Sequence, residues 1–204
     1  MRWMPVLWLV VMLVLTAVPA LGQGENPSPT AQVKETVDQV LDVLRNSGLE
    51  GEARRQQLSR LVRARFEFSI MSQRTLGKFW QSASADEQRR FVDLFTDLLE
   101  TSYIGRVEAY SDEQVLYSGE RLAGDRAEVS TRVRNASGDI PIDYRLVLIG
   151  GQWLVYDVIV EDVSLIKNYR SSYAEIVRSE GFSGLFARME EKIRKLRAPS
   201  ARNG

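Results

Sequence analysis

The stretch that decides the fold is residues 127–160, AEVSTRVRNASGDIPIDYRLVLIGGQWLVYDVIV. Apolar side chains alternate with polar ones over 127–133 and again over 140–148. A period of two is typical of strands that bury one face. Turn residues fill 135–139, and Gly150-Gly151 reverses the chain into a third, more apolar run. Short turns between such runs predict an antiparallel meander.

A fourth strand is predicted just before this meander. Val115 and Tyr117 begin it, and Leu122 precedes a turn at Gly124-Asp125. A strand, a short glycine turn and an alternating run together indicate a hairpin. The predicted sheet therefore has about four antiparallel strands.

Helices are predicted before and after the sheet. Apolar residues recur every three or four positions over about 30–45 and 52–65, while the dense apolar stretch 66–80 is interpreted as a short helix and a buried connection. Ser84 and Glu87 form a capping box that opens a long helix with a broad aromatic face. Two further helices follow the last strand, one around Tyr173 and one around Met189.

These elements predict an α+β domain with helices packed on one face of a curved antiparallel sheet. If the sheet curls around the helices, the space between them forms a cone. Such a cone either fills with side chains or encloses an apolar pocket.

Composition excludes several kinds of chemistry. The 204 residues contain no cysteine and no histidine, which removes thiol nucleophiles, Ser-His-Asp triads, disulfides and zinc sites with nitrogen or sulfur ligands. We expect no metal and no cofactor. The 27 basic and 27 acidic residues balance, whereas nucleic-acid binding needs a basic excess.

The N-terminus has the layout of a secretory signal. Arg2 precedes an apolar run, and Pro19 and Gly22 lie where a peptidase would cut. An uncleaved membrane anchor is the alternative, because the run 3–21 is nearly long enough to span a bilayer. We expect a signal peptide at 1–22, a disordered leader at 23–29, one domain at 30–197 and a flexible tail at 198–204. Without a cysteine to acylate, the cleaved protein would be soluble in the periplasm.

The run WLVYDVIVEDVSLIKNYR at 153–170 resembles the hallmark segment of the MlaC, or toluene-tolerance, family of periplasmic phospholipid carriers. Further similarity lies at 76–80, at 84–91 and at 95–103, so the resemblance extends from about Thr30 to Met189. Asp162 is one departure, because the family usually has glycine there. The predicted cone is of the NTF2-like type.

This resemblance implies a non-enzymatic carrier for a diacyl glycerophospholipid. The implied partners are an outer-membrane lipoprotein and porin complex and an inner-membrane ABC transporter with an MCE-type subunit. The implied task is to maintain outer-membrane lipid asymmetry, and we expect a monomer. A diacyl lipid has about thirty methylenes, whose exposure to water would cost roughly 25 kcal/mol. A carrier must therefore offer a dry interior.

Apolar residues that could line such an interior lie on three parts of the chain. Family members place the positions of Ile142 and Val163 against lipid, and the other residues follow from periodicity. The predicted lipid-binding residues are Phe91, Phe95, Leu98, Tyr103, Ile142, Tyr144, Leu146, Val155, Ile159, Val163 and Ile166.

Asp157 is the one charge inside the most apolar strand. It is either a structural carboxylate, satisfied by backbone amides, a hydroxyl or an arginine such as Arg170, or a general base aided by Tyr144 or Tyr156. The second interpretation predicts a cone-fold isomerase as the alternative function.

A third possibility is a cone filled by its own side chains, which would make the chain a structural or interaction module without a ligand.

Two further features of the sequence have simple structural interpretations. The basic C-terminal residues 188–202 could contact anionic head groups, but interleaved glutamates favour a solvated helix face. Ser164 has no histidine to activate it, so a helix cap is expected there.

Overall fold

A computed structural model describes residues 27–108, 114–135 and 138–198. The helices in these ranges are α1 (Pro29–Arg45), α2 (Gly51–Arg65), α3 (Phe68–Leu76), α4 (Ala85–Val107) and α5 (Leu165–Arg197), with a 3-10 helix at Gly77–Ser82. The strands are β1 (Gln114–Ala123), β2 (Arg126–Asn135), β3 (Gly138–Ile149), β4 (Gln152–Val160) and β5 (Val163–Ser164). The predicted signal peptide at 1–22 lies outside the described residues.

The strands form one antiparallel sheet in the order β1-β2-β3-β4-β5. The α+β prediction is confirmed. The sheet has five strands where about four were predicted, because the chain turns back after β4 and adds a two-residue strand at its edge. Val160 pairs with Val163 and Ile159 pairs with Ser164.

The turn between β4 and β5 has left-handed backbone at both central residues. Glu161 has φ 49° and Asp162 has φ 64°. Two successive positive φ angles are what a two-residue type I′ hairpin turn requires, and aspartate tolerates this conformation better than most residues. Asp162 therefore forms the tight turn in which the resembled family usually has glycine.

Helix α4 begins as the sequence predicts. The Ser84 hydroxyl accepts a hydrogen bond from the Glu87 amide at 3.2 Å, and the Glu87 carboxylate accepts one from the Ser84 amide at 2.8 Å. The capping box is therefore confirmed. None of the described helices is both long and apolar enough to cross a membrane.

A β-bulge in β4 determines which side chains share a face of the sheet. Asp157 pairs with Arg145 and Val155 pairs with Leu146, so Tyr156 is an extra residue between them. Residues on either side of a bulge no longer follow one alternation. Val158 and Val155 therefore lie on the same face, and Asp157 lies on the other.

The core consists of two main groups of buried side chains. Val33 of α1 packs with Leu146, Trp153 and Val155 on one face of the sheet. A larger cluster joins α3, α4 and α5, and includes Tyr156 from the sheet. The sheet thus contributes to both groups.

The β4 edge next to α3 is covered rather than open. Phe66 forms an isolated parallel bridge to Val155, and the Glu67 amide donates a hydrogen bond to the Val155 carbonyl at 2.8 Å. A paired edge does not invite association with another chain. The bridge also places α3 directly beside β4.

Helix α5 contains a break at Gly181, where φ is 68° and ψ is −172°. This conformation is essentially restricted to glycine. The break separates the two C-terminal helices that the sequence predicts. It allows Phe186 and Met189 in the second half to join the same buried cluster as Tyr173 in the first half.

Replacing Gly181 with alanine should lower the free energy of unfolding by about 1–3 kcal/mol, because the residue would keep a strained backbone although its side chain has open space. Gly105→Ala is the matched control. Gly105 lies inside α4 without positive φ and without crowding, so alanine there should stabilise by about 0.5–1 kcal/mol. Urea denaturation of both variants tests the pair, and a stabilised Gly181→Ala protein would contradict it.

Candidate functional site

A cavity of about 410 Å³ lies between the sheet and helices α2, α3 and α4. This volume falls within the range of about 300–1,000 Å³ that is typical of ligand sites. The sheet supplies Ile142 and Tyr144 from β3, and Val158 and Val160 from β4. These residues share one face, since Ile142 pairs with Val160 and Tyr144 pairs with Val158.

Helices and connections supply the opposite wall, which is apolar and partly aromatic. Its apolar residues are Val62, Phe66, Phe68, Met71, Leu99, Tyr103, Ile104, Val107 and Leu165, while Val163 of β5 lies on the sheet side beside Val160. Leu99, Tyr103 and Val107 follow one another at four-residue intervals, so they lie on one face of α4. The cavity is thus bounded almost entirely by hydrocarbon.

Two charged residues and one amide also line the cavity, namely Glu100, Arg106 and Asn168. Glu100 is already engaged, because its carboxylate accepts a hydrogen bond from the Ser59 hydroxyl at 2.8 Å and pairs with Arg63 at 2.6 Å. These contacts hold α2 against α4.

A group of tyrosines lies where α4 meets the start of α5. Burial, together with the neighbouring Tyr103, raises the pKa of Tyr169 to about 12, so this hydroxyl stays protonated at neutral pH. The Tyr169 ring packs edge-on against Phe95 with centroids 5.3 Å apart. Tyr103 packs against the same hydrophobic cluster and lines the cavity.

Four cavity-lining residues are exposed to solvent and therefore mark its mouth. They are Arg106, Val160, Val163 and Asn168. Val163 is 59% exposed and Val160 is 40% exposed. The tight turn at Glu161 and Asp162 brings these two valines side by side, so the rim is partly apolar.

Of the predicted lipid-binding residues, the structure brings four to this cavity. Tyr103, Ile142, Tyr144 and Val163 line it together, although they come from α4, β3 and β5. They include Ile142 and Val163, the two residues whose contact with lipid is implied by the family resemblance.

The other seven predicted residues do not line the cavity. Phe91 and Phe95 are fully buried and stack on each other with centroids 5.5 Å apart, and Leu98 and Ile166 belong to the same solid cluster. The first turns of the α4 stripe are covered by α5, so only its last turns reach the cavity.

Two different reasons explain why Leu146, Val155 and Ile159 do not line the cavity. Leu146 and Val155 lie on the cavity side of the sheet, but α1 covers them with Val33. The bulge at Tyr156 places Ile159 on the face opposite the cavity, where it pairs with Asp143. Regular alternation along β4 predicts that Val155 and Ile159 lie on one face of the sheet. Because of the bulge at Tyr156, they lie on opposite faces.

Sequence reasoning missed the contributions of Val158, Val160 and the Phe66–Met71 region to the cavity. The dense apolar stretch at 66–80 was the available signal for that region. Nothing in its spacing indicated that Phe66 and Phe68 would face the sheet across an open space.

Asp157 lies on the opposite face of the sheet, where neighbouring polar groups contact its carboxylate. Its carboxylate accepts hydrogen bonds from the Ser164 hydroxyl at 2.7 Å and the Ile166 amide at 3.2 Å, and Arg145 lies at 3.4 Å. The expected partner Arg170 instead donates to the Arg74 carbonyl at 2.7 Å. Asp157 does not line the apolar cavity. This geometry does not favour the general-base hypothesis.

Ser164 caps α5, as the sequence predicts. Its hydroxyl accepts a hydrogen bond from the Lys167 amide at 3.1 Å while donating to Asp157. Asp157 and Ser164 therefore fix the position at which α5 begins beside the mouth.

A second, polar groove of about 870 Å³ lies between α2, α4 and the end of α5. Its charges are largely paired, as in Arg55 with Glu108 and Arg197 with Asp97. In the C-terminal basic cluster, Arg188 pairs with Glu180 and Lys195 with Glu191, as expected for a solvated face. Within residues 27–108, 114–135 and 138–198, no group of acidic side chains could hold a metal ion.

The chain is similar to known proteins in sequence and in fold. The sequence model described as "MlaC protein" matches residues 34–191. The chain is 27% identical over 124 residues to the intermembrane phospholipid transport system binding protein MlaC of Haemophilus influenzae, covering 58% of each chain. It is 27% identical over 106 residues to the toluene tolerance protein ttg2D of Pseudomonas putida, covering 51% of this chain and 49% of that one. The chain thus spans about half to three fifths of the length of these relatives.

A solved structure shows the same architecture. The phospholipid-binding protein of Ralstonia solanacearum, determined in complex with a phospholipid, superposes with a TM-score of 0.74 at 26% identity. The match covers 83% of this chain and 99% of that chain.

Asp157→Ala should lower the free energy of unfolding by about 2–3 kcal/mol, because it leaves buried donors of Ser164 and Ile166 without an acceptor. Asp143→Ala is the control on the same face, with no ion pair in the described ranges, and should change stability by less than about 0.5 kcal/mol. Chemical denaturation measures both, and equal effects would show that the Asp157 network is not stabilising.

Proposed function

This chain belongs to the MlaC family, and from that premise we propose that it binds a glycerophospholipid by its acyl chains and carries it between membranes. The observation that supports the proposal is the apolar cavity of about 410 Å³, whose lining includes the exposed residues Val160 and Val163. The phospholipid-bound relative with the same fold adds support.

The cavity has the physical properties that a lipid carrier needs. At about 0.8 kcal/mol per methylene, acyl chains leave a bilayer only for an equally apolar surrounding. Phe66, Phe68 and Met71 on one side, with Ile142 and Val158 on the other, provide such a surrounding. Binding of this kind requires no covalent step.

The proposed location is the periplasm, reached by export and cleavage of the signal sequence at 1–22. There the carrier would exchange lipid with an outer-membrane lipoprotein and porin complex and with an inner-membrane ABC transporter that has an MCE-type subunit. A passive carrier only equilibrates lipid between donor and acceptor, so the partners would determine the direction. This exchange would maintain the lipid asymmetry of the outer membrane.

The isomerase alternative has little support from the geometry. An isomerase of this type needs its base inside the apolar cavity. Asp157 lies on the other face of the sheet with its oxygens engaged by Ser164 and Ile166.

The direct test is mass spectrometry of solvent extracts from the gently purified, folded protein. We expect about one diacyl glycerophospholipid per chain. A folded protein that carries no phospholipid, and takes none from phospholipid vesicles, would overturn the proposal.

Replacing Val163 or Ile142 with tryptophan should fill part of the cavity and lower phospholipid occupancy by about tenfold, which corresponds to about 1.4 kcal/mol of binding free energy. Leu122→Trp is the matched control, because Leu122 is 61% exposed on β1 and does not line the cavity. Occupancy is measured by mass spectrometry after exchange with vesicles, and circular dichroism verifies folding. If both cavity variants retain wild-type occupancy, the lipid lies elsewhere.

A further inference from the structure

The mouth of the cavity differs chemically from its interior. Arg106 and Asn168 are exposed there beside Val160 and Val163, whereas deeper residues such as Met71 are buried and apolar. Hydrogen-bond donors are therefore concentrated where the cavity meets solvent.

Arg106 is the one cation among the described residues that line the cavity. The one lining anion, Glu100, is neutralised by Arg63 at 2.6 Å. Arg106 has no carboxylate partner within residues 27–108, 114–135 and 138–198, while Arg55, Arg63 and many other arginines of the chain do. Within those ranges its charge is not neutralised by a carboxylate.

The Arg106 guanidinium is held at the mouth by an aromatic ring. It lies over Tyr103 at 5.5 Å from the ring centroid, and Tyr103 itself lines the cavity. A cation above a ring face is attracted by the ring quadrupole and keeps its outward donors free. Asn168, in the first turns of α5, lines the same mouth and adds amide donors.

We propose that Arg106, assisted by the Asn168 amide, binds the phosphate of the lipid head group at the mouth of the cavity. This inference rests on the proposed function, since the acyl chains must occupy the cavity to place a phosphate there. The planar guanidinium fork matches phosphate oxygens with two parallel hydrogen bonds. Phosphate-bearing diacyl lipids are therefore selected over diacylglycerols with the same tails.

A soluble phosphate ester carries the same chemistry but lacks the tails. Charge pairing at an exposed rim is weak by itself because water and salt screen it. Arg106 therefore acts on a ligand that the apolar cavity already retains, and free glycerol phosphate should not bind measurably.

The test is competition between two lipids with identical tails. The purified chain and its variants are incubated with vesicles that contain equal amounts of dioleoyl phosphatidylethanolamine and dioleoylglycerol in a phosphatidylcholine background. After separation, mass spectrometry gives the ratio of the two lipids on the protein. A separate experiment measures binding of glycerol 3-phosphate alone by calorimetry.

Arg106→Ala should lower the ratio of phosphatidylethanolamine to diacylglycerol about tenfold relative to the wild type. The variant should still take up diacylglycerol, which shows that it is folded. Arg90→Ala is the matched control, because Arg90 also lies on α4 over a ring, at 4.8 Å from the Phe186 centroid, but pairs with Glu190 and does not line the cavity. It should keep the wild-type ratio.

The outcomes separate the two proposals. An unchanged ratio in Arg106→Ala, or an equal loss in Arg90→Ala, would overturn the role of Arg106 and leave the carrier function standing. Tight binding of glycerol 3-phosphate would show a site for soluble esters and would overturn the assignment to a lipid head group. A wild-type protein that takes up neither lipid would instead contradict the proposed function.

Discussion

Antiparallel pairing between β3 and β4 is the constraint on which the cavity depends. The pairs Ile142 with Val160 and Tyr144 with Val158 place four apolar side chains on one face. Because successive residues of a strand point to opposite faces, the same pairing places Asp157 on the other face. A polar network and an apolar cavity can thus coexist on neighbouring residues of a single strand.

The two faces of the sheet cooperate in forming the mouth. Asp157 binds the hydroxyl of Ser164 and the amide of Ile166, and these contacts determine where α5 begins. The start of α5 then carries Asn168, while the adjoining β5 carries Val163, and both line the cavity. Buried polar groups on one side of the sheet therefore organise the entrance on the other.

The charged groups that line the cavity are kept apart from its apolar interior. Charges that reach the cavity are either engaged, as Glu100 is with Ser59 and Arg63, or placed at the solvent edge, as Arg106 is. The rest of the described lining is largely apolar. Helix α2 closes this wall through polar contacts to Glu100, whereas α4 and α5 join through aromatic packing.

The sequence by itself determined the elements, because periodicity and capping are local: the meander, the capping box at Ser84 and the separate C-terminal helices follow from spacing alone. Periodicity also predicted that Tyr103 and Tyr144 line an apolar space, and the family resemblance predicted the same for Ile142 and Val163. Only the tertiary structure decided which part of each apolar stripe faces that space. Phe91 and Val155 have the same local pattern as cavity residues, but α5 covers the first and α1 the second. Contacts with residues far along the chain leave no trace in local spacing. A bulge such as the one at Tyr156 reverses which face the following residues of the strand occupy, and the apolar content of the strand does not reveal it.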